Sequence, residues 1–224
     1  MTDVRRWTAV VIYATAMALV ESAVVTYLRV FMDVVDPYQP PPPDVPAWLI
    51  YTEMAREAAT LVMLVAVGWL AGRNSRSRLG YFLVAFGLWD ILYYVFLVPL
   101  SGWPRSLLDW DILFLIPLPW WGPVLAPVSI AALMVVGGTL ISQFEHEQRA
   151  LWPGRGAWWL SLGGGLLALY VFMVDALHAP DWSEEMLRNI LPTSFNWPLF
   201  VVALALMSAP VLDMGRQRWG RRRG

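Results

Sequence analysis

Cysteine is absent from the 224-residue sequence, and so is lysine: all 16 basic residues are arginine. Without cysteine there is no disulfide, no thiolate metal site and no sulfur nucleophile. Without lysine there is no Schiff base to retinal or pyridoxal phosphate, and no lysine to grip the phosphates of a P-loop. The only two histidines, His146 and His178, are separated by one apolar span. They therefore fall on opposite sides of a membrane and cannot ligate one haem together. Neither a G-x-S-x-G elbow nor an H-E-x-x-H run occurs, which leaves the familiar hydrolase classes without support.

Charge is also scarce, at 15%, while 58% of the residues are hydrophobic and 14 are tryptophan. That balance points to a polytopic membrane protein rather than one or two soluble domains. A hydrocarbon core about 30 Å thick takes roughly 20 apolar residues per helical crossing. Windows of that length lie at 7–31, 47–71, 79–100, 122–144, 157–178 and 196–213. The expectation is an all-α, six-helix transmembrane bundle forming one domain over residues 1–224, with a basic tail at 214–224.

Arginine orients it. With six crossings, 12 of the 16 arginines fall on one side: Arg5 and Arg6, the Arg73, Arg76 and Arg78 loop, Arg149 and Arg155, and the five of the tail. The opposite loops carry Arg105 and Arg188 beside several acids. The positive-inside rule then places both termini in the cytoplasm of a cell (inner) membrane. The run RQRWGRRRG beside the last span suits anionic lipid head groups rather than nucleic acid. Residues 1–31 share with signal peptides only Arg5 and Arg6 before an apolar run; that run is too long and contains Glu21, so an uncleaved anchor is expected.

Two connections on the outer side are rich in proline. PYQPPPPDVP, residues 37–46, has six prolines in ten residues and reads as a stiff extended connector. Further on, Pro117, Pro119, Pro123 and Pro127 interrupt an apolar stretch longer than one crossing. Residues 106–121 are read as a short interfacial or re-entrant element before helix 4, which survives at that depth only where protein or water satisfies its backbone. Gly137 and Gly138, and Gly163 to Gly165 with Ser161, offer small surfaces for close helix contact.

Against this apolar background the acids stand out. The tetrapeptide WDIL occurs twice, at residues 89–92 and 110–113, and each copy carries an aspartate, Asp90 or Asp111. Counting along the spans puts Glu21 and Asp90 near the midplane, Glu53, Arg56 and Glu57 in the outer half of helix 2, and Asp175 and His178 at the outer end of helix 5. Glu53 and Glu57 share a helical face, as do Asp175 and His178, and Asp90 shares one with Tyr93 and Tyr94. A carboxylate in hydrocarbon costs about 2.5–3.5 kcal/mol even on insertion scales, so each needs a cation, a proton or water. Arg56 and Arg29 are too few to neutralise them all, and the excess predicts one cation or proton site in the outer half of the bilayer.

The candidate catalytic residues are Glu21, Glu57, Asp90 and His178. Arg56, Tyr93, Tyr94 and Asp111 are candidates for substrate binding, and Glu53, Glu57, Asp90, Asp175 and His178 for metal ligation. Carboxylate oxygens with one imidazole suit Mn, Fe, Mg or Ca, and Asp175 three residues before His178 is like one half of the Glu-x-x-His element of helical di-metal sites. Three functions compete: a metal-dependent membrane enzyme acting on a lipid, quinone or other membrane-soluble substrate; a proton- or cation-coupled transporter using the same acids; and an accessory subunit of a larger membrane complex.

Overall fold

The computed structural model describes residues 3–34, 36–39, 46–143, 151–178, 191–192 and 194–223. It is mostly helical, at 76%. In chain order the elements are α1 (Asp3–Phe31), α2 (Ala47–Ala71), α3 (Ser75–Ser101), β1 (Trp110–Phe114), β2 (Trp120–Pro123), α4 (Leu125–Gln143), α5 (Arg155–Leu177), α6 (Trp197–Met207) and α7 (Ala209–Arg223). Among the described residues six helices are long and apolar enough to cross a membrane, the sixth running from Trp197 to Trp219 through α6 and most of α7. All six coincide with the windows read from the sequence, within a few residues at each end.

Local chemistry sets several helix ends. The Asn74 side chain accepts from the backbone N–H groups of Arg76 and Ser77, both at 3.0 Å, while the Ser77 hydroxyl accepts from Asn74 N at 3.1 Å. This reciprocal box satisfies three backbone donors at the start of α3. At the other end Gly102, at φ 71°, closes α3 in the left-handed conformation, its N–H bonding Val98 O at 2.9 Å. Asn196 caps α6 by accepting from Leu199 N at 3.1 Å.

α3 is the central helix, packed on α1, α2 and α4. Its contact with α4 is backbone to backbone. A Cβ added at Gly87 would lie 2.5 Å from Ala131 O, and one at Gly138 2.5 Å from Gly80 O. Lipid offers no hydrophobic drive to join two helices, so close approach of this kind supplies the packing. α5 meets α6 in the same way at Gly164, where a Cβ would lie 2.6 Å from Ala203 O, whereas Gly163 and Gly165 face open space. Gly138 and Gly164 thus carry the close packing expected of the two glycine groups, joined by Gly80 and Gly87.

The proline-interrupted segment is the departure from an all-α chain. It folds as an antiparallel hairpin, with Asp111 opposite Gly122, Ile112 opposite Trp121 and a register shift between Ile112 and Phe114. Pro117 and Pro119 fall in the connecting loop and Pro123 at the end of β2, positions where a missing N–H costs the ladder little. The hairpin is not a surface flap: Asp111 and Trp121 are 3% and 4% exposed.

Two apolar cores flank α3 and the hairpin. One joins α1, α2 and α3 around Ala14, Leu64, Tyr81 and Val84; the other joins α4, α5 and α6 around Ala126, Ala168, Phe172 and Phe200, with Trp120 of the hairpin against it. Arginines gather at the helix ends away from the hairpin. There Arg6 Nη1 donates to Ala71 O at 3.0 Å, Arg76 lies 5.1 Å over the Trp152 ring, and Asp213 accepts from Gly154 N at 2.7 Å.

Candidate functional site

α2 presents Glu53, Arg56, Glu57 and Thr60 at intervals of three to four residues, which places them on one stripe of the helix. This stripe meets Glu21 of α1 and the Asp90–Tyr94 stretch of α3, and β1 of the hairpin closes the space from the loop end. The result is a partly enclosed cavity of about 60 Å³ whose wall includes Glu21, Arg56, Glu57, Asp90, Tyr93 and Asp111. Thr60, Trp89 and Tyr94 also line it, with Val25 and Ile112 to Phe114 as its apolar part.

Each acid meets a different environment. Glu21 is paired with Arg56 Nη1 and also accepts from the Thr60 hydroxyl at 3.3 Å. The same guanidinium reaches back to Glu53, with Nε and Nη2 at 2.9 and 2.8 Å from Oε2. Glu57 accepts the backbone N–H of Leu115 on both oxygens, at 3.2 and 3.0 Å, and so ties α2 to the hairpin loop. Asp111 is bound twice: Arg29 Nη2 lies 3.4 Å from Oδ1, and the Tyr94 hydroxyl donates to Oδ2 at 3.1 Å. Arg29 is itself held 4.2 Å over the Trp103 ring. Burial pushes the Asp111 carboxyl up to about 6, against the opposing pull of Arg29 and of the Tyr94 hydrogen bond.

Asp90 is the exception. It lines the cavity, yet its carboxylate makes no hydrogen bond and no ion pair among the described residues. The Tyr93 hydroxyl, one helical turn on, has no hydrogen-bond partner among them either, although the Tyr93 ring packs on Trp89 and Tyr94. Five carboxylates thus share two guanidiniums, and the one left over faces the cavity.

Comparison with known proteins returns no matching family model, no similar curated protein and no similar solved structure. The site must be read from its own geometry.

Seven of the candidates from the sequence line this one cavity, Glu21, Arg56, Glu57, Asp90, Tyr93, Tyr94 and Asp111, and Glu53 is joined to it through Arg56. Asp175 and His178 do not line it. They end α5, which packs on α6, α7 and β2 rather than on α1 to α3. His178 is exposed, its Nδ1 2.7 Å from Val174 O of its own helix. Among the described residues no group of three or more Asp, Glu or His side chains is placed to hold a metal ion, so the metal-ligand set Glu53, Glu57, Asp90, Asp175 and His178 is not gathered. Arg56, a candidate for substrate binding, pairs with Glu21 and Glu53. His146, Arg149 and Arg188 lie outside the described residues, as do residues 40–45 of the proline-rich connector.

Some participants escaped the sequence reading. Thr60 continues the Glu53–Arg56–Glu57 stripe by one more turn, a signal open to inspection. Trp89 adjoins Asp90 in the first WDIL. The pairing of Arg29 with Asp111 spans 82 residues, and no local pattern announces it.

Proposed function

We propose that the protein is a membrane-embedded enzyme that carries out acid–base chemistry on a small membrane-soluble substrate, with Asp90 as the group that takes and returns a proton. The observation that carries this reading is Asp90 itself, a carboxylate with no partner among the described residues, in a cavity where every neighbouring acid is held by an arginine, a hydroxyl or a backbone N–H. An acid kept in an apolar span without a partner costs free energy that a purely structural role would remove. Tyr93 hydrogen-bonds the substrate, and the Arg56–Glu21–Glu53 network supplies a fixed field beside it. Glu57 and Asp111 hold the hairpin, which limits the access of bulk water.

The distribution of arginine orients the chain with both termini in the cytoplasm of the inner membrane, so that the hairpin and cavity belong to the outer leaflet and the substrate arrives from there. The exposed Arg216 and Arg218 of α7 meet anionic lipid on the cytoplasmic face. An enzyme fits better than a transporter because the part of α1, α2 and α3 away from the hairpin is packed shut around Ala14, Leu64, Tyr81 and Val84, all at most 1% exposed. A conduit needs a second entrance there.

Reconstitution in liposomes tests this. Under an imposed pH gradient the wild type should pass no more ions than protein-free vesicles. A flux abolished by Asp90→Asn replaces the enzyme with a proton- or cation-coupled transporter. Metal analysis by mass spectrometry on the same preparations covers the divalent-metal version: stoichiometric metal in wild type, lost in Asp90→Asn and Glu57→Gln, would add a Mn, Fe, Mg or Ca ion to the chemistry.

A further inference from the structure

We infer that the cavity takes a small ammonium group, and that Asp90 is its counter-ion. The inference rests on the enzyme reading for its chemistry but on the unmatched atoms of the cavity for its ligand. Among the described residues the two oxygens of Asp90 accept from no donor, and the Tyr93 hydroxyl, able to donate or accept, is the neighbouring group they leave unmatched. A ligand that completes them brings N–H donors, and the excess of carboxylates over guanidiniums asks that it bring positive charge as well. The wall beside Asp90 is aromatic. Trp89, 6% exposed, stacks on Tyr93 at 6.4 Å between ring centroids, and Tyr93 meets Tyr94 edge to face at 5.0 Å. Ring faces of this kind attract a cation, most strongly where water is scarce.

Size and coordination narrow the class. A volume of about 60 Å³ gives room for roughly four or five water-sized groups, enough for an ammonium on a two-carbon stem with one polar atom. A metal ion asks for three or more converging ligands, which the described residues do not provide; an ammonium asks for one carboxylate and a π face. Proton transfer then follows without a further reactant. One N–H bond breaks and one O–H bond forms on Asp90, which holds the proton until it is returned to the amine. Such a group comes either from a free amine or from the head group of an ethanolamine lipid in the same leaflet.

Isothermal titration of the full chain in detergent at neutral pH, with ethanolammonium chloride as the probe, tests the inference. Wild type should bind it, Asp90→Asn at least tenfold more weakly, and Tyr93→Phe a few-fold more weakly, while ethylene glycol, of similar shape but neutral, should not bind. Unchanged thermal unfolding of both variants guards against misfolding. Phosphatidylethanolamine retained by wild type and lost from Asp90→Asn identifies the lipid as the source; titration in phosphatidylglycerol nanodiscs that still shows ethanolammonium binding identifies the free amine. Equal binding by wild type and Asp90→Asn, or no binding of either ammonium source, overturns the inference. An Asp90 carboxyl that still exchanges its proton in that case leaves the enzyme reading standing; a silent Asp90 ends both.

Discussion

The same four residues, WDIL, fold twice in this chain and end up in different structures with different duties. Residues 89–92 are the middle of α3 and residues 110–113 are most of β1. Their aspartates nevertheless face one cavity. Intrinsic propensity cannot separate two identical tetrapeptides, so the decision lies with their surroundings: an uninterrupted apolar run around the first, and prolines at 117, 119 and 123 beyond the second. The difference in duty is sharper still. Asp111 is held by Arg29 and Tyr94, whereas Asp90 is held by nothing described. One is an anchor, and the other is left free to react.

Breaking the anchor should have the largest effect. Asp111→Ala breaks the ion pair with Arg29, itself 6% exposed, and breaking a buried pair costs about 3–5 kcal/mol. The matching change Asp90→Ala removes no partner among the described residues and relieves the cost of an acid in an apolar span, so it should not destabilise the fold. Thermal unfolding in detergent micelles reads both, and equal losses would erase the distinction between the two aspartates.

The neighbouring tyrosines offer the same contrast on a smaller scale. Tyr94→Phe deletes a hydrogen bond to a carboxylate, worth about 1.5–3 kcal/mol, while Tyr93→Phe deletes none made by the described residues. The order of the two unfolding midpoints is the check.

Smaller again is a dependence on pH. Asp111 lies outside the spans, and burial lifts its carboxyl from 3.8 to about 6. The folded state therefore holds this proton more tightly than the unfolded state, so the stability it contributes is full below about 4, falls as pH rises towards about 6, and is level above that. Asp111→Asn, whose amide oxygen still accepts from Arg29 while its NH2 group turns to the Tyr94 oxygen, should remove that slope. A wild-type slope that survives the substitution would assign it to another group.

Much of this was legible in the sequence, for reasons that differ by element. The six spans are written in composition and length. The polar stripe on α2 is written in the spacing of Glu53, Arg56 and Glu57, and counting residues along each span brought Glu21 and Asp90 to one depth. The hairpin was legible only as a break, because proline marks where a helix stops but not which strand will pair with which. The grouping of Asp175 and His178 with the other acids failed for a related reason. Their position at the end of a span was read correctly, but position along a helix says nothing of what stands beside α5, and α6, α7 and β2 stand there rather than α1 to α3. Partners distant in sequence, such as Arg29 for Asp111, are a property of the assembled bundle.

Infrared difference spectroscopy across a pH step, in H2O and then in D2O, goes straight to Asp90. The expected spectrum contains a carboxyl band that vanishes in Asp90→Asn, persists in Asp111→Asn, and shifts promptly on transfer to D2O because the cavity admits water. A spectrum unchanged by Asp90→Asn, or a band that ignores D2O, would mean that this carboxyl is sealed and idle, and the proposed site would be lost.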